Sequence, residues 1–224
     1  MRWVVAIRKT VRVAEDWFRL PDWDAEARTE FERRLARARS NNRAQYLRVK
    51  GLALHDAGEM DGARSLWLRV LDEDHDADEV TVQAASALEH LGDSFALCDP
   101  LAALDFYERS MEGVRLGRGT TCTQHIKMAE LLLREPTPSH VGRASDLLAR
   151  WPDETRLPFP NAHFRWNLAV LELAQAVGDR DAAQEAARRA LDLAGRGPVF
   201  PRHKTVGIVQ TDRRTMKRLA RLAK

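Results

Sequence analysis

The chain is poor in everything that marks a secreted or membrane-borne protein. Its 224 residues include two cysteines, Cys98 and Cys122. That is too few for a disulfide scaffold and fits a reducing compartment, so the expected location is the cytoplasm. The longest apolar run near the start is Trp3-Val4-Val5-Ala6-Ile7. It is too short for a secretory core or a membrane span, and no membrane partner is expected. Lysine is scarce, six against thirty arginines, a bias of GC-rich genomes that points to a bacterial source. The chain also lacks a nucleophile elbow, a phosphate-cradling glycine loop with its lysine, and a dinucleotide fingerprint. Gly117-Arg118-Gly119-Thr120-Thr121 has no lysine and no preceding strand, so it reads as a turn. Neither catalysis nor a cofactor is expected.

Metal ligands are equally sparse. Cys122-x-x-His125 could place two ligands on one helical turn, and Cys98 with His90 could add two more. No second close-spaced pair supports them, and free cysteines are common in helical cores, so no metal is expected.

Charge is abundant and segregated. Residues 1–50 carry 13 basic and 7 acidic side chains, and residues 51–110 carry 3 and 14. Residues 201–224 carry 8 and 1, so two basic ends flank an acidic stretch. Such blocks can attract within one molecule or toward a charged partner, and self-association between copies is open on the same ground.

Hydrophobic residues make up 44% and charged ones 31%, the balance of amphipathic helices. Leu20-Pro21-Asp22 reads as a stop followed by a helix cap. From Asp24, apolar Ala27, Phe31, Leu35 and Ala38 recur at helical spacing, and Ser40-Asn41-Asn42 reads as a break or a new cap. Then comes a phrase written twice. Gly51-x-x-Leu54-x-x-x-Gly58-x-x-x-x-Ala63-x-x-x-Trp67 is matched by Leu171-x-x-Ala174-x-x-x-Gly178-x-x-x-x-Ala183-x-x-x-Ala187. In each, a helix of small and apolar residues meets a glycine turn and a second helix opens on a buried alanine. Ala85, Leu88 and Gly92, followed by Ala103, Tyr107 and Met111, read as a second copy. With Gly92 taken as its turn glycine, an insertion from Asp93 to Pro100 must loop out before Asp99-Pro100 starts the next helix. A third copy runs from Thr121 to Arg134 and resumes through Ala144, Leu147, Leu148 and Trp151, with Met128 or Ala129 at its small position. The fourth spans Asn161 to Ala194.

A hairpin with two apolar faces cannot bury both alone, and stacking neighbours buries them. Gly51, Ala85 and Leu171 are expected at close contacts inside hairpins, and Ala63, Ala103, Ala144 and Ala183 between them. The arrangement resembles the tetratricopeptide repeat (TPR) family over about residues 43–194. The resemblance implies an all-α, right-handed superhelix of about four stacked hairpins with capping segments at both ends. Residues 1–42 would be an arm and capping helix and residues 43–197 the repeat domain. Residues 198–224 would be an extended segment and a basic capping helix, with Asp212 as its cap and a stripe of Met216, Leu219 and Leu222 or Ala223.

The resemblance also implies a function: a non-enzymatic adaptor that binds a protein or peptide in a concave groove lined by first helices. By register the groove positions include Gln45, Arg48, Leu52 and His55 in repeat one. Repeat two offers Glu79, Val82, Ser86 and Glu89, repeat three Thr123, Ile126 and Glu130, and repeat four Arg165, Leu168, Glu172 and Gln175. Of these, Gln45, Arg48, His55, Glu130, Arg165, Glu172 and Gln175 are the residues expected to meet the guest. The family's lysine–asparagine carboxylate clamp is not reproduced, so a C-terminal carboxylate is not the expected guest, while an acidic segment pairing with Arg48 and Arg165 stays open. The alternative is a ligand- or peptide-sensing regulatory subunit of a transcriptional or toxin-control system. Nucleic acid is a lesser candidate, resting on the basic residues of the last helix.

Overall fold

The structure, a computed structural model, describes residues 16–73, 81–112, 119–155, 159–200 and 202–224. Among these it is all-helical, with ten α-helices after a short 3-10 turn at Trp17–Arg19 and a single isolated bridge between Phe200 and His203 as its only β pairing. The helices belong to two compact units, one ending at Glu73 and one following it.

The first unit holds α1 (Ala25–Ala36), α2 (Ser40–Asp56) and α3 (Met60–Asp72). The cap of α1 is Asp24, not Asp22: its carboxylate accepts from the Ala27 amide at 2.8 Å. Asp22 instead offers its carbonyl to the Lys50 ammonium at 2.9 Å, and Leu20 does the same at 2.5 Å. Lys50 is buried, and its charge also lies over the rings of Trp23 and Phe31 at 5.3 and 5.7 Å. A buried cation must be solvated by something, and here carbonyl dipoles and aromatic faces replace water. The result is a clip that fixes the Leu20–Asp22 segment onto α2. Around it Trp17, Phe18, Phe31 and Tyr46 pack ring against ring, with Phe18 and Tyr46 stacked 4.6 Å apart.

α2 and α3 form the first hairpin. Gly58, at φ 86°, turns the chain where a side chain would be strained. Gly51 does a different job. A Cβ placed there would lie 2.4 Å from Nε1 of Trp67, so only glycine lets the indole lie flat on α2. Trp67 in turn donates to the Arg48 carbonyl at 3.2 Å, which satisfies its one polar atom.

The second unit begins with α4 (Val82–Phe95) and α5 (Pro100–Met111), then α6 (Gln124–Leu132) and α7 (Pro138–Thr155). It ends with α8 (Pro160–Val177), α9 (Arg180–Ala194) and α10 (Arg213–Leu222). α4 pairs with α5, α6 with α7 and α8 with α9. Neighbouring pairs touch through α5–α6, α7–α8 and α6–α8. Gly178, at φ 77°, closes α8, and the Asp179 carboxylate opens α9 by accepting from the Ala182 amide at 2.9 Å. One core gathers Ala103, Tyr107, Ile126, Ala129, Leu148 and Trp151, and another gathers Phe164, Leu171, Ala187, Ala190 and Leu219. Met128 and Ala129, the two candidates for one small position, are both buried.

The expected insertion after Gly92 is absent. α4 continues to Phe95, only Ala96–Asp99 separate it from α5, and the Asp99 carboxylate caps α5 by accepting from Ala102 at 3.0 Å. The reason is register. A Cβ on Gly92 would lie 2.5 Å from Cε1 of Tyr107, so Gly92 faces Tyr107 as Gly51 faces Trp67. It is therefore the close-contact glycine of its hairpin and not its turn. Ala85, read from the sequence as that contact, lies two helical turns earlier and is buried too.

At the far end α10 packs on α9 and buries Leu219 completely, with Leu222 and Ala223 beside it. The Asp212 carboxylate accepts from the amides of Arg214 and Thr215 at 2.7 and 2.9 Å, as its capping position in the sequence implies.

Candidate interaction surface

The groove residues expected from the sequence separate into two groups with different surroundings. In the first unit Gln45 and Arg48, one turn apart on α2, line an open pocket of about 670 Å³ together with Arg19, Leu52 and Asp56. Arg48 is half-buried, and burial followed by the nearby Arg19 guanidinium depresses its pKa below the ordinary arginine value. Two cations thus share one recess. Arg19 is held at its rim because the Lys50 clip fixes the segment that follows it, and it also meets Asp16 at 3.0 Å in an exposed ion pair. His55 is not part of the pocket lining. It is exposed, with Nδ1 3.4 Å from Oδ1 of Asp56 and its ring 5.9 Å from that of Trp67.

In the second unit the remaining predicted residues sit on α6 and α8. Glu130 and Arg165, 35 positions apart, form a two-point ion pair with N–O distances of 2.7 and 2.5 Å. Arg165 therefore already has a carboxylate partner within the fold. Glu172 and Gln175 follow on later turns of α8, and Gln175 accepts from Arg218 of α10 at 2.8 Å. Although the Glu172 side chain is exposed, the protein around it and the Glu130 carboxylate raise its pKa, while Arg218 lowers it. Of the other first-helix positions, Ile126 is core and Ser86, Thr123 and Glu89 are buried, while Val82 is exposed. Glu79 lies outside the described residues.

The densest polar cluster of this unit centres on Lys127, which the sequence reading passed over. The Lys127 ammonium donates to Oε1 of Glu89 at 2.8 Å and to Oδ2 of Asp93 at 2.9 Å, and lies 5.5 Å from the centre of the Tyr107 ring. The Tyr107 hydroxyl donates to Oδ1 of Asp93 at 2.7 Å. Burial, then the Asp93 charge, drives the phenol pKa upward, so it stays protonated as the donor. Glu89 also accepts from the Thr121 amide at 2.8 Å and from the Thr121 hydroxyl. The side chain of Glu89 is 3% exposed and that of Lys127 8%, against 44% for Asp93. The cluster ties α4, α5, α6 and the segment before α6 into one polar joint that opens to solvent on the Asp93 side. A signal for it was present: Gly92, Ala103 and Tyr107 are spaced 11 and 4 apart, against 12 and 4 for Gly51, Ala63 and Trp67. Aligning those glycines puts Glu89 at the Arg48 position and Asp93 at the Leu52 position.

The cysteine–histidine pair is built into the core. Cys122 is buried with a left-handed φ of 57°, and burial raises its thiol pKa. Its carbonyl accepts from Trp151 Nε1 at 2.7 Å. His125 places Nε2 2.9 Å from Oε2 of Glu154, an ion-pair distance, though off the line of a straight hydrogen bond. Burial lowers the His125 pKa, the Glu154 charge opposes that shift and Arg150 adds to it. Among the described residues no three His, Cys, Asp or Glu side chains gather to hold a metal ion, and no helix is long and apolar enough to cross a membrane.

No protein-family model, curated protein or solved structure matches the chain. What the structure defines is an all-helical protein of paired helices whose polar first-helix residues are largely fixed by partners on neighbouring elements.

Proposed function

We propose that the protein is a TPR-like, non-enzymatic interaction adaptor, a right-handed superhelix of stacked hairpins that binds an acidic stretch of a protein or peptide. The observation that carries this reading is the pocket on α2, where Gln45 and Arg48 join Arg19 around about 670 Å³ of open space. Two guanidiniums sharing a recess repel, and a carboxylate between them would relieve that repulsion while accepting hydrogen bonds from both. Arg19 comes from a different segment than Arg48, so the recess offers donors from two directions, which favours recognition over chance charge. Leu52, Ala53 and Ala57 give the pocket an apolar floor for the side chains flanking an acidic residue.

Support of a second kind comes from the second unit. There the first helices α6 and α8 are crossed by the Glu130–Arg165 pair, and α4 and α6 by the Lys127 cluster. Side chains already paired pay little ordering cost on contact with a guest and set which charges it meets. On this reading the α2 pocket contributes the anion contact.

The test is a library of fluorescent peptides with and without Asp/Glu clusters, read by polarisation at low and moderate salt. Acidic peptides are expected to bind the full chain, and Arg48→Glu to weaken them at least tenfold with the circular dichroism spectrum unchanged. Arg165→Gln, which breaks only an internal pair, should change binding far less. Equal retention of acidic and neutral peptides, or indifference to Arg48→Glu, would sink the proposal.

A further inference from the structure

The last helix carries charge that the fold does not use. α10 reads Arg213-Arg214-Thr215-Met216-Lys217-Arg218-Leu219-Ala220-Arg221-Leu222 and has no acidic residue. Several other arginines answer to carboxylates three or four residues away: Arg33 and Arg34 to Glu30, Arg189 to Glu185, Arg196 to Asp192. On α10 only Arg218 turns inward, to Gln175. Arg213, Arg214, Lys217 and Arg221 are exposed, meet no carboxylate at ion-pair distance among the described residues, and with Ala220 line an open recess of about 580 Å³.

Two of these residues stand where helix stability is worst served. Arg213 and Arg214 are the first two positions of α10, at the positive end of the helix dipole, where acidic side chains are favoured and cations are not. The Asp212 cap answers the amides there but leaves both guanidiniums pointing to solvent. Charge placed against the local electrostatics, in a row with Lys217 and Arg221, asks for an anion from outside.

The form of the patch narrows the anion. A ten-residue helix is about 15 Å long, and a nucleic-acid strand offers one phosphate per roughly 3.4 Å of rise, so about four phosphates face four cations. An acidic protein surface would need an apolar anchor beside the charges, and only Ala220 lies among them. A membrane would need the apolar side of the helix, and that side is spent: Leu219 is fully buried, and Leu222 and Ala223 pack into the core beneath. We infer that the outer face of α10 binds the phosphodiester backbone of nucleic acid, without base recognition, through Arg213, Arg214, Lys217 and Arg221. This surface is separate from the α2 pocket, and either reading can fail without the other.

The test uses the full chain and mixed-sequence 20-nucleotide oligomers, single- and double-stranded, followed by fluorescence anisotropy over a salt series. Binding at low salt is expected, with log K falling against log salt at a slope of about −3, the signature of three to four phosphate contacts. Arg213→Glu/Arg214→Glu and Lys217→Glu/Arg221→Glu should each weaken binding at least tenfold. The first pair should leave the melting temperature unchanged or raised, because glutamates suit a helix N-terminus. That opposition between stability and binding is what a merely structural role would not produce. Absence of binding at low salt, indifference to both variants, or a fall in melting temperature with both would overturn the inference. So would equal binding to polyglutamate or to phosphatidylserine vesicles.

Discussion

Replacing Lys127 by methionine keeps the length of the side chain and removes the charge at the centre of the buried cluster. Glu89 would then hold a carboxylate with 3% of its side chain exposed, facing only the Thr121 amide and hydroxyl. Removing one partner of a buried pair costs about 3–5 kcal/mol, because the remaining charge stays desolvated. Asp93 adds less, since it is 44% exposed and water can replace the ammonium there. Equilibrium unfolding in urea, with hydrogen exchange of the α4 and α6 amides to localise the loss, measures the cost. Neutralising the stranded carboxylate should repair most of it: Glu89→Gln keeps an acceptor for Thr121, and the double variant Lys127→Met/Glu89→Gln should recover about 2 kcal/mol or more in a double-mutant cycle. A cost below about 1 kcal/mol, or a double variant no better than the single one, would refute the assignment of a buried Lys127–Glu89 pair.

Glycine contacts give a paired experiment. Gly51→Ala sets a methyl 2.4 Å from the Trp67 indole, an overpacking of about 1–3 kcal/mol against roughly 1 kcal/mol gained in helix propensity. It should lower the melting temperature, whereas Gly142→Ala, on the open face of α7 with nothing within 4 Å, should stabilise by about 0.5–1 kcal/mol. The same sign for both would refute the close approach of α2 and α3. His125, with its pKa lowered by burial against the opposing Glu154 charge, binds its proton more weakly folded than unfolded. Stability should therefore fall as pH drops below the ordinary histidine value of about 6.5, and His125→Phe should flatten that part of the profile. A proton NMR titration placing the His125 midpoint above 6.5 would contradict this.

Local patterns in the chain were enough to show paired helices. Gly178 marked a turn, Asp99-Pro100 a helix start, Asp212 a cap, and the stripe through Leu219 a helix with one apolar side. Each depends on groups within four or five residues, where the geometry of the helix itself does the selecting. The choice between Ala85 and Gly92 was different. Both are small residues on one helix, two turns apart, and periodicity treats them alike. Only the position of the Tyr107 ring on the opposite helix decides which of them must lack a Cβ. The surface divides on the same line. That α2, α6 and α8 carry polar residues at groove spacing could be read from the chain, and Gln45 and Arg48 do share a pocket. That Arg165 is matched by Glu130, that Lys127 draws Glu89 and Asp93 together, and that Lys50 clips the strap holding Arg19 could not. These pairs lie 28 to 38 residues apart. Charge pairing at that separation depends on how hairpins stack, which side-chain volumes across the whole unit determine. By itself the sequence set the paired helices, the start of α5, the cap of α10 and the sign of each end. Tertiary packing decided which charges are paired within the fold and which, on α10, face outward.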